Sequence, residues 1–149
     1  WSSDVCSADL LGLDTDGGTP DTDGIVIGYK YFGSNGKGDF KDLIPPFDLG
    51  RTSTHEVGHW LGLRHIWGDG DCRYDDYCTD TPLASGPNYG CPEEVISCTA
   101  PDMVANYMDY TDDACMNIFT QDQKNRMLTV LANSPRRKEM VVRGQELVE

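Results

Sequence analysis

The stretch His55-Glu56-Val57-Gly58-His59-Trp60-Leu61-Gly62-Leu63-Arg64-His65 spells H-E-x-x-H-x-x-G-x-x-H without a mismatch, and the rest of the chain is read outward from it. Residues four apart share one face of a helix, so His55 and His59 present imidazoles to a common point. Zinc takes such nitrogens in a tetrahedral set. Glu56, one residue round from that face, is the candidate general base: it can take a proton from water at the metal's open position without ligating the metal. A helix that simply continued would carry His65 away. Gly62 can adopt the positive φ that ends a helix and turns the chain back, which makes His65 the third ligand. Three neutral histidines with an open fourth position describe a catalytic zinc, whereas closed structural sites usually fill that position with cysteine or histidine. The chain has 3 histidines, and all lie in this stretch.

At 149 residues the chain has the length of one domain. It carries 25 acidic against 12 basic residues, a net charge of −13. That charge disfavours nucleic acid as a partner and suits a cationic peptide or a divalent metal. There are 6 cysteines, none in a C-x-x-C pair, which implies disulfides and an exported protein. No apolar run reaches the length of a membrane span, and no signal-peptide pattern is present. The sequence starts at Trp1 without an initiator methionine, as a processed or trimmed fragment would.

Residues 1–24 alternate Asp4, Asp14, Asp16, Asp21 and Asp23 with glycines and Pro20, which is loop chemistry. The carboxylates suit calcium, but no D-x-D-x-D-G loop is completed by a glutamate, so a solvated loop is the better reading. Residues 25–32 are β-branched and aromatic and read as a strand. Residues 33–50 form another loop, closed by Pro45-Pro46. Thr52 or Ser53 is the expected N-cap of the motif helix, with Val57, Trp60, Leu61 and Leu63 packing it inward. From Gly68 to Pro101 the composition turns to Asp, Gly, Pro, Cys and Asn, an irregular stretch that needs staples. Cys72, Cys78, Cys91 and Cys98 fall inside it and Cys115 follows, but spacing alone leaves every pairing open. Thr120-Gln121-Asp122-Gln123 has the form of a capping box. It should open a helix to about Asn133, with Met127, Leu128, Val130 and Leu131 buried and Pro135 as the stop. The tail that follows, with Met140-Val141-Val142, carries no assigned chemistry.

The zinc motif, followed by Ile66-Trp67-Gly68-Asp69 and later by Asn106-Tyr107-Met108-Asp109-Tyr110, resembles the metzincin metallopeptidases, and within them the pappalysin family. The resemblance runs from about Asp23 to about Arg137. It implies an α+β catalytic domain over residues 1–149. Its upper part, 1–65, would hold a mixed, mostly parallel sheet and the active-site helix. Its lower part, 66–137, would be irregular, disulfide-stapled and closed by a C-terminal helix, with 138–149 as a tail. The stretch before His55 is too short for the family's first strands and backing helix, so the upper part is expected to be truncated or reduced. The strand at 25–32 becomes either an edge that pairs with an extended peptide or an ordinary buried strand.

The same resemblance implies roles for single residues. Met108 would be the methionine of the turn beneath the zinc, and Tyr110 would hydrogen-bond the developing oxyanion. Asp113 would line the pocket for the residue after the scissile bond and favour arginine or lysine there. The implied disulfides are Cys72–Cys98 and Cys91–Cys115, leaving Cys6 and Cys78 for a third. Asp75 to Pro82 resembles the family's calcium loop, with Asp76 and Thr81 as ligands and a solvated acidic loop as the alternative. Without the family, Met108 is an ordinary core methionine and Asp113 a local cap or bridge. The expected function is an exported zinc endopeptidase acting on peptides or proteins. A catalytically silent zinc and calcium binding relative or incomplete fragment is one alternative, against which Glu56 stands. A zinc hydrolase of non-peptide substrates is the other, against which the methionine turn stands.

Overall fold

The computed structural model describes residues 23–138 and 140, together with the backbone of residues 6–8. Two helices, α1 (Arg51–Trp60) and α2 (Gln121–Asn133), are separated by turns and bends over residues 61–120, where a parallel bridge joins Asn106 to Ile118. Ahead of α1, strands β1 (Cys6–Ala8) and β2 (Ile25–Ile27) pair antiparallel, with Cys6 opposite Ile27 and Ala8 opposite Ile25. The class is α+β. The sheet among the described residues is this antiparallel ribbon, not the mostly parallel sheet the resemblance implies. The aspartates at 4, 14, 16 and 21, the side chain of Cys6 and the tail from residue 141 lie outside the described residues. Among the described residues, no helix is long and apolar enough to cross a membrane.

β2 is shorter than the run of β-branched and aromatic residues suggests. The described pairing with β1 covers Ile25 to Ile27, and beyond it the Tyr31 amide donates to the Gly28 carbonyl at 2.9 Å. Tyr29–Tyr31 therefore close a 3-10 turn, with Tyr29 and Phe32 exposed. Strand propensity yields where the ladder ends.

α1 is capped two or three residues earlier than expected. Its N-cap is Gly50 at φ 84°, which has no side chain to offer, and Thr52 is buried in the first turn. Its C-terminus closes as a Schellman turn around Gly62, also at φ 84°: Leu63 N donates to Gly58 O at 2.9 Å and Gly62 N to His59 O at 2.8 Å. α2 crosses this turn. A Cβ on Gly62 would meet Val130 Cγ2 at 2.8 Å, and Arg126 Nε donates to the Gly62 carbonyl at 2.6 Å.

The core gathers just beyond α1, in Leu63, Ile66, Trp67, Ala84 and Met108, with Met103, Tyr110, Phe119 and Met127 packed around it. Val57 and Leu128, expected to be buried, are exposed, because the apolar cluster is built by the chain after α1 more than by the helix faces themselves. The capping box of α2 is complete: Gln123 N donates to Thr120 Oγ1, and Thr120 N to Gln123 Oε1.

Long loops are held by cross-links. Cys72–Cys98 and Cys91–Cys115 are bonded, with Cα atoms 5.8 and 5.7 Å apart. Cys78 is free and buried, and the side chain of Cys6, its expected partner, lies outside the described residues. Cys78 is enclosed by its own turn: its amide donates to Asp76 Oδ1, its carbonyl accepts from Thr81, and burial pushes its thiol up to about 12. Asp23 links the end of α1 to Arg137, just beyond α2. Its Oδ1 accepts from Trp60 Nε1 at 3.0 Å and from the buried Arg137 guanidinium at 2.9 Å, which lies 4.5 Å from the Trp60 ring. A charge buried to 1 % exposure must be paired, and Asp23 is the partner.

Candidate metal centre

His55 and His59, one turn apart on α1, place their Nε2 atoms 2.9 Å from each other, and the Gly62 turn brings His65 Nε2 to 3.0 Å from that of His59. Every outward nitrogen faces an oxygen. His55 Nδ1 meets the Tyr107 carbonyl at 2.7 Å, His59 Nδ1 the Leu63 carbonyl at 2.9 Å, and His65 Nδ1 the Asp69 carboxylate. A carbonyl or carboxylate there holds the proton on Nδ1 and leaves the Nε2 lone pair facing inward. Three lone pairs this close repel one another unless a cation lies among them, and imidazole nitrogen is a zinc ligand. The ligand atoms all lie within 4.8 Å of one another, and among the described residues no other such group of three is found.

Burial also sets the charge state. Desolvation holds the pKa of His55 well below the ordinary histidine value. That of His59 is lowered to about 4, first by burial and then by His65 nearby. A lowered histidine pKa means the neutral ring persists to lower pH, and the neutral ring is the one that binds metal. The hydrogen bond to His65 lowers the pKa of Asp69.

Beneath the histidines Met108 is fully buried. A Cβ on Gly58 would stand 2.5 Å from Met108 Sδ, so the glycine at this point of α1 is what lets the methionine approach. Asn106 builds the turn: its Oδ1 accepts from Met108 N at 2.9 Å and its carbonyl from Asp109 N at 3.1 Å. Asn106 is clamped in turn by the Gln123 amide, through bonds of 2.9 and 3.1 Å. One turn thus packs a methionine under the site and aims the Tyr107 carbonyl at His55.

Tyr110 sits at the open side, its ring centroid 5.6 Å from His55 and 4.9 Å from His65. Trp67 stacks on His65 at 4.3 Å with the planes 4° apart. Glu56 is buried on α1 directly after His55. Asp113 is buried and lines a pocket with Phe47, Arg51, Thr52, His55 and Tyr110. Its Oδ2 accepts from Leu49 N at 2.8 Å and Arg51 N at 3.1 Å. Burial raises its pKa, against those two donors.

Asp76 and Thr81 lie apart from this centre. Asp76 Oδ1 accepts from Thr81 Oγ1 at 2.6 Å and Cys78 N at 3.0 Å, while its buried Oδ2 has no partner. Burial pushes this carboxyl up to about 6.

Motif reasoning missed the residues that hold the ligands. Asp69 had a signal, being an acid four residues after the last histidine. The Tyr107 and Leu63 carbonyls had none, since any residue supplies a carbonyl. Asn88 was missed as well: its amide and side chain tie down the buried Asp109 at 2.9 and 3.0 Å, next to Tyr110.

Comparison with known proteins agrees with this geometry. Residues 43–132 match the family Peptidase_M43, described as pregnancy-associated plasma protein-A. Extracellular metalloprotease 1 of Coccidioides posadasii (strain C735) is 41% identical over 122 residues, covering 70% of this chain and 44% of that protein. An extracellular metalloprotease of Arthroderma benhamiae is 48% identical over 86 residues, covering 54% of this chain and 29% of that protein. Among solved structures, mature mirolysin of Tannerella forsythia in complex with a cleaved peptide superposes with a TM-score of 0.74 at 47% identity, covering 88% of this chain and 50% of that one. The chain therefore spans half or less of the length of these relatives.

Proposed function

The chain belongs to the pappalysin family of metallopeptidases, Peptidase_M43, and from that membership we propose that it is the catalytic part of an exported zinc endopeptidase. The observation that carries the proposal is the convergence of three Nε2 atoms whose outward nitrogens are all held, directly beside Glu56. His55, His59 and His65 would hold the zinc, which when bound supplies a Lewis acid that polarises a carbonyl and lowers the pKa of water. Glu56 takes the proton of the attacking water and passes it to the leaving amine. The Tyr110 hydroxyl donates to the developing oxyanion, and Met108 forms the apolar floor.

Substrate preference is assigned to Asp113. The pocket it lines opens beside His55 and Tyr110, and a carboxylate there favours arginine or lysine after the scissile bond. Asp76 and Thr81 are assigned to a structural calcium, supported by the buried, unpartnered Asp76 Oδ2. Export agrees with two disulfides and with relatives named extracellular. The division of the sequence into an upper part, 1–65, and a lower part, 66–137, with 138–149 as a tail, is part of the same proposal.

The test is digestion of a mixed peptide library by this chain and by Glu56→Gln, with zinc and calcium present and products read by mass spectrometry. Cuts before arginine or lysine that disappear in the variant are the expected result. Zinc bound with no cut by either protein would identify a silent relative or an incomplete fragment instead.

A further inference from the structure

We infer that Asp113 is a positioning residue for the zinc helix as well as a wall of the pocket: its carboxylate is the N-cap that α1 does not have in its own sequence. The inference rests on reading the histidine triad as a metal site. α1 starts at Arg51 behind Gly50, which has no capping side chain. The first amides of a helix have no partner within it, and left buried without one they destabilise the turn. Asp113 Oδ2 takes the first helical amide, that of Arg51, together with that of Leu49 just ahead of the cap residue, from 62 and 64 residues away in sequence. Negative charge at a helix N-terminus is also favoured by the helix dipole. His55 follows one turn later, so the turn that Asp113 fastens is the turn that aims the first ligand.

The carboxylate has two oxygens, and α1 engages Oδ2. A cationic side chain entering the pocket would therefore meet a group already bonded to the backbone that carries His55. Recognition of the residue after the scissile bond and placement of the zinc helix are joined in one side chain.

Two substitutions separate the roles. In Asp113→Asn the amide oxygen can still accept from both backbone N–H groups while the charge is gone; in Asp113→Ala both are lost. Zinc affinity is measured on the full chain by competition with a chromophoric chelator, and cleavage is measured on matched peptides with arginine or leucine after the scissile bond. Asp113→Asn should bind zinc within about threefold of the parent and lose its preference for arginine. Asp113→Ala should bind zinc about tenfold more weakly, the size of a lost cap. Parental zinc affinity in Asp113→Ala, or equal loss in both variants, would overturn the inference. Failure of the parent to cut any peptide would count against the proposed function alone, because the zinc arm still decides the role of Asp113.

Discussion

His65 differs from the other two histidines of the candidate site in what holds its outer nitrogen. His55 and His59 lean on backbone carbonyls, His65 on the side chain of Asp69, which a substitution can remove. Asp69→Ala is expected to weaken zinc binding about 10- to 100-fold, the usual scale for a residue behind a ligand, as read by chelator competition. Unchanged affinity would mean that Trp67 stacking alone orients His65. A second prediction concerns Gly58, where an added methyl would stand 2.5 Å from Met108 Sδ. Gly58→Ala should lower unfolding free energy by about 1–3 kcal/mol as overpacking does, offset by up to about 1 kcal/mol of better helix propensity. Adding Met108→Ala to it should cost less than the sum of the two changes, because the clash is gone; additive losses in urea denaturation would show that the two side chains do not meet. At this scale the convergence of the three histidines was legible, since a metal site needs those residue types at that spacing. The carbonyls behind His55 and His59 were not, because sequence does not mark them.

The turn at the end of α1 acts as one joint with Arg126 and Val130 of α2. Gly62 has both a left-handed φ and Val130 Cγ2 at 2.8 Å from where a Cβ would be. Gly62→Ala is therefore expected to destabilise by about 2 kcal/mol or more, strain and clash together, with part of the loss recovered in Gly62→Ala/Val130→Ala. Thermal unfolding decides this, and a full recovery would mean the backbone strain is negligible. The end of α1 was readable because Gly62 must turn the chain. Its beginning was not: the cap comes from Asp113, far along the sequence, and local rules favoured Thr52 or Ser53. β2 was overextended as well, since the chain goes directly into the 3-10 turn at Tyr29–Tyr31. In the 76–81 loop the unpartnered Asp76 Oδ2 predicts that calcium raises the melting temperature of the parent and not of Asp76→Ala. An equal rise in both would place calcium elsewhere.

The whole molecule is held more by cross-links than by layers. Between α1 and α2 the chain has no regular element, and the two disulfides close loops of 26 and 24 residues there. Each is worth about 3 kcal/mol by loop entropy, so reduction should bring unfolding to markedly lower urea and weaken zinc binding with it. The Asp23–Arg137 pair ties the start of the described chain to the end of α2 over Trp60. Nothing local in the sequence marked that pair, because the partners are 114 residues apart. The α+β class followed from the family resemblance, and the two helices from the zinc motif and the α2 capping box; the antiparallel ribbon at β1 and β2 was not legible, because pairing direction depends on tertiary contacts. Every step of the proposed reaction depends on His55, His59 and His65 holding a metal. The most direct test is to strip the protein of metal and follow cleavage of one peptide, with arginine after the scissile bond, as zinc is added back. Activity that rises to a plateau at one zinc per chain, and never appears in His59→Ala, is the predicted result. Cleavage that persists without metal, or that His59→Ala retains, would contradict it.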